Sequence, residues 1–137
     1  DIPVGVLYGW AGEFGVDPTV LRTGDGPRMD DYTLVRKGQG SKIERYAGYS
    51  FAALAFNFKN REMDPMIVTL SRADEAELVT HTGQEFNYVL EGSIKVVVGK
   101  REFTLEEGDS LYFNPAIPHG QRALTPQAKF LTVINEH

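Results

Sequence analysis

The chain of 137 residues has a formal net charge of −5 and contains no cysteine. Its length suits one domain with a hydrophobic core, and its negative charge argues against binding of a polyanion by this chain alone. The lack of cysteine excludes disulfides and thiolate metal ligands, and it suits a cytoplasmic protein. We see no apolar run long enough to span a membrane and no signal-peptide pattern, so we expect no membrane partner.

The first 28 residues differ in character from the rest. Apolar residues recur at helical spacing from Pro3 to Phe14, and Asp17-Pro18 has the pattern of a helix N-cap followed by a proline at the first helical position. A stop at Gly24 leads into a stretch rich in glycine, proline and aspartate. We therefore predict a short N-terminal helical segment and linker over residues 1–28 and a second domain over residues 29–137. Because the chain starts at Asp1 without a methionine, we expect it to be a piece of a longer protein.

Residues 29–137 contain short stretches of strand-forming residues separated by glycine and proline turns. Between two of these stretches, Ala73 to Leu78 carries three acidic residues and predicts a solvated loop or a single helical turn. Many short strands at regular spacing are typical of a β-sandwich or β-barrel, so the predicted fold class is all-β. The predicted strands are Tyr32–Arg36, Lys42–Tyr46, Ser50–Phe56, Met66–Ser71, Glu85–Glu91, Ile94–Val98, Glu102–Leu105, Ser110–Phe113, Gln121–Leu124 and Lys129–Ile134.

The stretch from His81 to Gly92 carries the clearest chemistry. From Glu85 onward it alternates as a strand does, with one strongly apolar face, so we expect Glu85 on the opposite face to line the interior or the mouth of a barrel. A straight strand would hold the Cα atoms of His81 and Glu85 about 13 Å apart, too far for one shared ion. The segment must therefore bend, and Gly83 supplies the residue that can take a positive φ. A buried carboxylate needs a partner, which a cation, an arginine or a tyrosine could provide.

A histidine and a carboxylate on one bent strand make half of a metal site, since both suit Zn, Fe, Ni or Mn. Only three histidines exist, and His137 is the last residue of the chain, which leaves His119 for the other half. His119 follows Pro118, where a rigid turn fixes its direction, although a histidine in such a place is also commonly an ordinary core or rim residue.

Two segments resemble the conserved motifs of the cupins. His81, Glu85 and Gly92 match the second half of the first motif, and the stretch from Gly108 to His119 is similar to the second motif. The resemblance implies a jelly-roll β-barrel and a metal site formed by His81, Glu85 and His119. Two departures from the motifs occur. Val79 stands where the first motif has a histidine, which reduces the usual set of three histidines and a glutamate to the three residues named, and Asn114-Pro115-Ala116 replaces the usual Pro-x-Gly.

A second resemblance concerns the N-terminal segment. The stretch from Phe14 to Gly24 resembles the closing helices of the helix-turn-helix domain in XRE-type regulators that join such a domain to a C-terminal cupin. This implies a sensor that binds DNA only through a missing N-terminal domain, acts on transcription as a homodimer, and responds to a small-molecule ligand. The alternative is a helical arm that packs on the barrel or on a second subunit.

Three functions remain open from the sequence. A sensor barrel would bind a small carboxylate or another metabolite, with Asn87 and Tyr112 as candidate ligand contacts. An enzyme would use His81, Glu85 and His119, which resemble the facial triad of cupin oxygenases and epoxidases with non-haem iron. A metal-free barrel would serve mainly in dimerisation.

Overall fold

The computed structural model describes residues 31–135, which form nine β-strands and no helix. The all-β prediction is confirmed for this part of the chain. Within these residues no helix is long and apolar enough to cross a membrane. The strands are β1 (Ser41–Tyr46), β2 (Tyr49–Ala53), β3 (Asp64–Ser71), β4 (Gln84–Glu91), β5 (Ile94–Val98), β6 (Arg101–Leu105), β7 (Ser110–Phe113), β8 (His119–Ala123) and β9 (Gln127–Asn135).

One predicted strand is wrong. Tyr32–Arg36 has no strand pairing among the described residues. The side chains of Tyr32 and Leu34 are 68% and 65% exposed, so the alternating pattern there has no sheet face to cover. The segment from Ala73 to Leu78 is a loop without a helical turn, as one of the two readings of its charge predicted. The predicted helical segment over residues 1–28 lies outside the described residues, and the division at residue 28 stays a prediction.

The strands form two antiparallel sheets. The larger sheet has the order β1-β2-β3-β9-β4-β7, and the smaller one has the order β6-β5-β8. Strands distant in sequence are neighbours in the larger sheet, since β9 lies between β3 and β4. This crossing pattern places β4 in the body of the sheet, paired on one side with β9 and on the other with β7.

The interior is filled by every second residue of the strands. In β3 and β9 buried and partly buried positions alternate, and β4 alternates between buried and more exposed positions over most of its length. The small sheet contributes buried residues from β5. The buried hydrophobic core is made of Tyr49, Phe51, Ala53, Met66, Val68, Leu70, Val89, Ile94, Val96, Leu105, Phe113, Ala123, Ala128, Phe130 and Ile134.

The connection from β3 to β4 runs beside β8. It is held there by a parallel bridge from Arg72 to Ala123 and an antiparallel bridge from Val79 to His119. Between these bridges, Gly120 lies so close to the connection that an added Cβ would be 2.4 Å from the carbonyl oxygen of Glu77. The connection therefore lies along the edge of β8 opposite β5 and ends beside the first residue of that strand.

Candidate metal centre

Three elements bring the candidate ligands together. Glu85 lies on the inner face of β4 and His119 begins β8 in the opposite sheet. His81 comes from the connection beside β8, where its backbone N–H donates to the carbonyl of Pro115 at 3.0 Å. Gly83 then takes a φ of 90°, which confirms the predicted bend between His81 and the strand. The site is therefore built from both sheets and from the connection between β3 and β4.

The three side chains converge inside the barrel. Glu85 Oε1 is 3.0 Å from His81 Nε2 and 3.2 Å from His119 Nε2. One ligand atom from each residue lies within 4.8 Å of the others. Two ligand atoms that each lie about 2.0–2.2 Å from one ion are about 3 Å apart at tetrahedral or octahedral angles. The distances from Glu85 Oε1 to the two Nε2 atoms therefore suit ligands of one shared ion. The side chains are almost fully buried, with exposures of 4% for His81, 2% for Glu85 and 0% for His119.

The other nitrogen of each imidazole faces a backbone carbonyl. His81 Nδ1 lies 3.0 Å from the carbonyl oxygen of Thr82, and His119 Nδ1 lies 2.9 Å from that of Ile117. Because a carbonyl only accepts, Nδ1 carries the hydrogen in both neutral rings, and Nε2 presents a lone pair to the interior. Metal-binding histidines in proteins are commonly oriented in this way, by a hydrogen bond from the ring nitrogen that does not bind the metal. The donor set thus fits a divalent cation.

Glu85 is ionised in this environment. Burial by itself would raise the pKa of the Glu85 carboxyl, but the imidazoles of His119 and His81 beside Oε1, together with a hydrogen bond from Asn87, lower it from 4.5 to about 2. A buried anion facing two imidazoles is a good ligand for a cation.

The second oxygen of Glu85 faces away from the histidines. Oε2 accepts hydrogen bonds from Asn87 Nδ2 and Gln121 Nε2, both at 3.1 Å, and Thr132 Oγ1 lies 3.5 Å away. All three residues are buried, with exposures between 0% and 5%. The carboxylate therefore has one oxygen directed at the histidines and one directed at amide donors.

The structure separates the two predicted ligand contacts. Asn87 is fully buried behind Glu85, next to the candidate metal ligands. Tyr112 is 61% exposed on the outer face of the large sheet, where its ring packs against Phe86 and its hydroxyl donates to Gln84 Oε1. Contact of either residue with a small molecule stays a prediction, but only Asn87 lies beside the candidate metal centre.

The sequence analysis missed Gln121 and Thr132. Gln121 lies two residues after His119 on β8, so both side chains have the same parity. Thr132 is the direct neighbour of Asn87 in the pairing of β4 with β9. The parity of Gln121 was visible in the sequence once His119 was placed on a strand, whereas the pairing of β9 with β4 was not.

Comparison with known proteins agrees with this architecture. Residues 66–134 match the family model of the cupin domain. The chain therefore belongs to the cupin family, as the two motifs predicted. No curated protein matches the chain in sequence.

Several solved structures share the fold. An RmlC-like cupin from Shewanella frigidimarina NCIMB 400 is 20% identical with a TM-score of 0.67, over 78% of this chain and 93% of the other. KdgF from Halomonas sp. is 16% identical with a TM-score of 0.68, over 77% and 94%. Hydroxypropylphosphonic acid epoxidase from S. wedmorenis is 23% identical with a TM-score of 0.65, over 98% of this chain and 75% of the other. At these identities the likeness establishes the fold alone.

Proposed function

We propose that this cupin holds one divalent metal ion through His81, Glu85 and His119 and binds a small molecule beside it. The observation that carries the proposal is the convergence of Glu85 Oε1 with two imidazole Nε2 atoms at 3.0 and 3.2 Å in a buried site. Three protein ligands leave coordination positions open, as catalytic and ligand-binding metal sites require and closed structural sites do not.

A small pocket contacts Gln121, one of the residues that donate to Glu85. It has a volume of about 100 Å³ and lies between the turn that joins β1 to β2 and the connection that runs beside β8. Gln121 forms part of its wall and also donates to Glu85 Oε2, whereas none of the three candidate ligands lines the pocket. Its lining includes Tyr49 together with charges of both signs, Arg72 and Arg122 against Glu75 and Glu77. Drug-sized ligands usually occupy about 300–1,000 Å³, so this pocket suits only a small polar metabolite.

One use that fits this site is catalysis by a mononuclear non-haem metal enzyme of the oxygenase or epoxidase type. Two histidines and one carboxylate with open positions are typical of non-haem iron(II) oxygenases. Iron held in this way supplies redox chemistry with O₂, while the protein positions the substrate and excludes water. The likeness to hydroxypropylphosphonic acid epoxidase and to the structure described as Fe(II) HppE supports this choice, since each covers 98% of the chain.

The second candidate is the sensor domain of a helix-turn-helix transcriptional regulator. It is favoured by the sequence from Phe14 to Gly24, which resembles the closing helices of such a DNA-binding domain. In this case the metal and its ligand would shift the arrangement of two DNA-binding domains, which requires that the ligand bind the two arrangements with different affinity. DNA would be contacted only by a domain N-terminal to this chain.

Both candidates are compatible with a homodimer. Tyr88, Leu90 and Tyr112 are 38%, 44% and 61% exposed and lie on the adjacent strands β4 and β7 of the large sheet. Exposed apolar residues clustered on a sheet face are typical of protein–protein contacts. Sedimentation at micromolar concentration should give a dimer, and a monomer there would refute this part of the proposal.

Metal analysis of protein purified without an affinity tag or chelator tests the central proposal. We expect about one metal ion per chain in the wild type and a marked loss in Glu85→Gln. Glu91→Gln is the matched control, because it removes a carboxylate from an exposed position near the end of the same strand. Equal metal content in the wild type and in Glu85→Gln would refute the site.

Functional assays then distinguish the enzyme from the sensor domain. Stoichiometric iron with substrate-dependent oxygen consumption would establish the enzyme. Saturable metabolite binding without turnover, together with ligand-dependent binding of DNA by the full-length protein, would establish the sensor.

A further inference from the structure

Glu85 Oε2 is enclosed by hydrogen-bond donors. Asn87 Nδ2 and Gln121 Nε2 each lie 3.1 Å away, and Thr132 Oγ1 lies at 3.5 Å. A carboxylate oxygen has two lone-pair positions, so two amide donors occupy both of them. Oε2 therefore has no lone pair left for a metal ion, whereas Oε1 points at the two imidazoles.

The donors are themselves fixed by further hydrogen bonds. Gln121 Nε2 also donates to Asn87 Oδ1 at 2.7 Å, and Asn87 Nδ2 also donates to Thr132 Oγ1 at 3.1 Å. Since a carboxylate can only accept, both amides must turn their nitrogens towards Glu85. The bond between the two amides agrees with that orientation, because it uses the nitrogen of Gln121 and the oxygen of Asn87.

Strand geometry supplies this arrangement directly. Asn87 follows Glu85 by two residues on β4, and Gln121 follows His119 by two residues on β8, so each amide lies on the same face as a candidate ligand. Thr132 stands opposite Asn87 on β9. The amide residues thus form a layer beneath the candidate ligands and join the two sheets.

We propose that Asn87 and Gln121 are positioning residues that restrict Glu85 to metal coordination through Oε1 alone. The inference rests on the metal site proposed above. A carboxylate without such partners can bind a metal through both oxygens and so occupy two coordination positions. Holding Oε2 with amides keeps one of those positions open. Contacts of this kind around metal ligands are commonly worth 10- to 100-fold in metal affinity.

Infrared difference spectroscopy of the wild-type chain, zinc-loaded minus metal-free, tests the coordination mode without altering the network. We expect the antisymmetric and symmetric carboxylate bands of Glu85 to lie further apart with zinc bound, as in one-oxygen coordination. Isotope labelling of glutamate, together with the loss of these bands in Glu85→Gln, would assign them to Glu85. A narrower separation, the sign of two-oxygen coordination, would overturn the inference and leave the metal site standing.

Cobalt titration of Gln121→Leu and Asn87→Leu tests the role of the amides. We expect each variant to bind Co²⁺ about 10- to 100-fold more weakly than the wild type, with weaker visible absorption because the released Oε2 raises the coordination number. Gln127→Leu is the matched control, since Gln127 donates to the exposed Glu91 in a similar amide-to-carboxylate pair. Unfolding of the metal-free variants checks that they fold.

The outcomes distinguish the two proposals. Wild-type protein that binds no Co²⁺ would overturn both the metal site and this inference. Wild-type binding with unchanged affinity and absorption in folded Gln121→Leu and Asn87→Leu would overturn only the positioning role, because the amides would then merely satisfy buried polar groups.

Discussion

Replacing Glu85 with glutamine should change how the stability of the metal-free protein depends on pH. Glutamine has nearly the same shape, so its oxygen can accept from Asn87 and Gln121 while its nitrogen donates to the lone pair of an imidazole Nε2. The substitution therefore removes the buried charge with little loss of packing. Any difference that varies between pH 6 and pH 2 then reports the titration of Glu85 and of the groups in contact with it.

The size and sign follow from the lowered pKa of Glu85. In the unfolded chain this carboxyl takes up a proton near pH 4.5, whereas in the folded protein it stays ionised until about pH 2. Between these values the unfolded state binds more protons, so stability is fully present above pH 4.5 and is lost as the pH falls. At about 1.4 kcal/mol per unit of pKa, the loss attributable to Glu85 amounts to about 3 kcal/mol by pH 2.

Urea unfolding with a chelator present measures this loss. The free energy of unfolding of the wild type, minus that of Glu85→Gln, should fall by about 3 kcal/mol between about pH 6 and about pH 2. Taking the difference cancels the titration of groups that do not interact with Glu85, and Glu91→Gln shows the effect of removing an exposed carboxylate from the same strand. Parallel pH curves for the wild type and Glu85→Gln would refute the argument that the histidines and amides hold Glu85 as an anion.

Three further substitutions address the ligands and the connection beside β8. His119→Ala should weaken metal binding more than about 100-fold, because it removes a ligand and not only a contact around one; unchanged metal occupancy would remove His119 from the site. Val79→His should bind metal at least about 10-fold more tightly by calorimetry, since Val79 stands directly opposite His119 and its side chain shares the same face; unaltered affinity would show that residue 79 does not reach the ion. Gly120→Ala should cost about 1–3 kcal/mol in urea unfolding, because its Cβ would be 2.4 Å from the Glu77 carbonyl oxygen; wild-type stability would show that the connection can move aside freely.

Local patterns in the sequence predicted much of the barrel. The bounds of β5 and β7 agree with the prediction, and Glu85 lies inside because the apolar residues of β4 alternate with it. The strand predicted at Tyr32–Arg36 was wrong, because an alternation of apolar and polar residues does not reveal whether a neighbouring strand is available to pair with the segment.

The candidate site was predictable only in part. Motif resemblance named His81, Glu85 and His119, and the structure brings them together; metal binding itself stays a prediction. The amide layer escaped prediction because it depends on which strands pair across the barrel. Gln121 reaches Glu85 from the opposite sheet, over 36 residues of sequence, and no local periodicity encodes such a contact.

The assembly of the site from two sheets has a mechanical consequence. An ion bound to Glu85 on β4 and to His119 on β8 would cross-link the two sheets. The same ion would also hold the loop that carries His81. At a free metal concentration about 1,000 times the dissociation constant, such a cross-link would raise the free energy of unfolding by about 4 kcal/mol. When metal is added, amide hydrogen exchange should then slow in β4 and β8 together. Sheets that can open separately in the metal-free protein would open as one unit in the metal-bound protein.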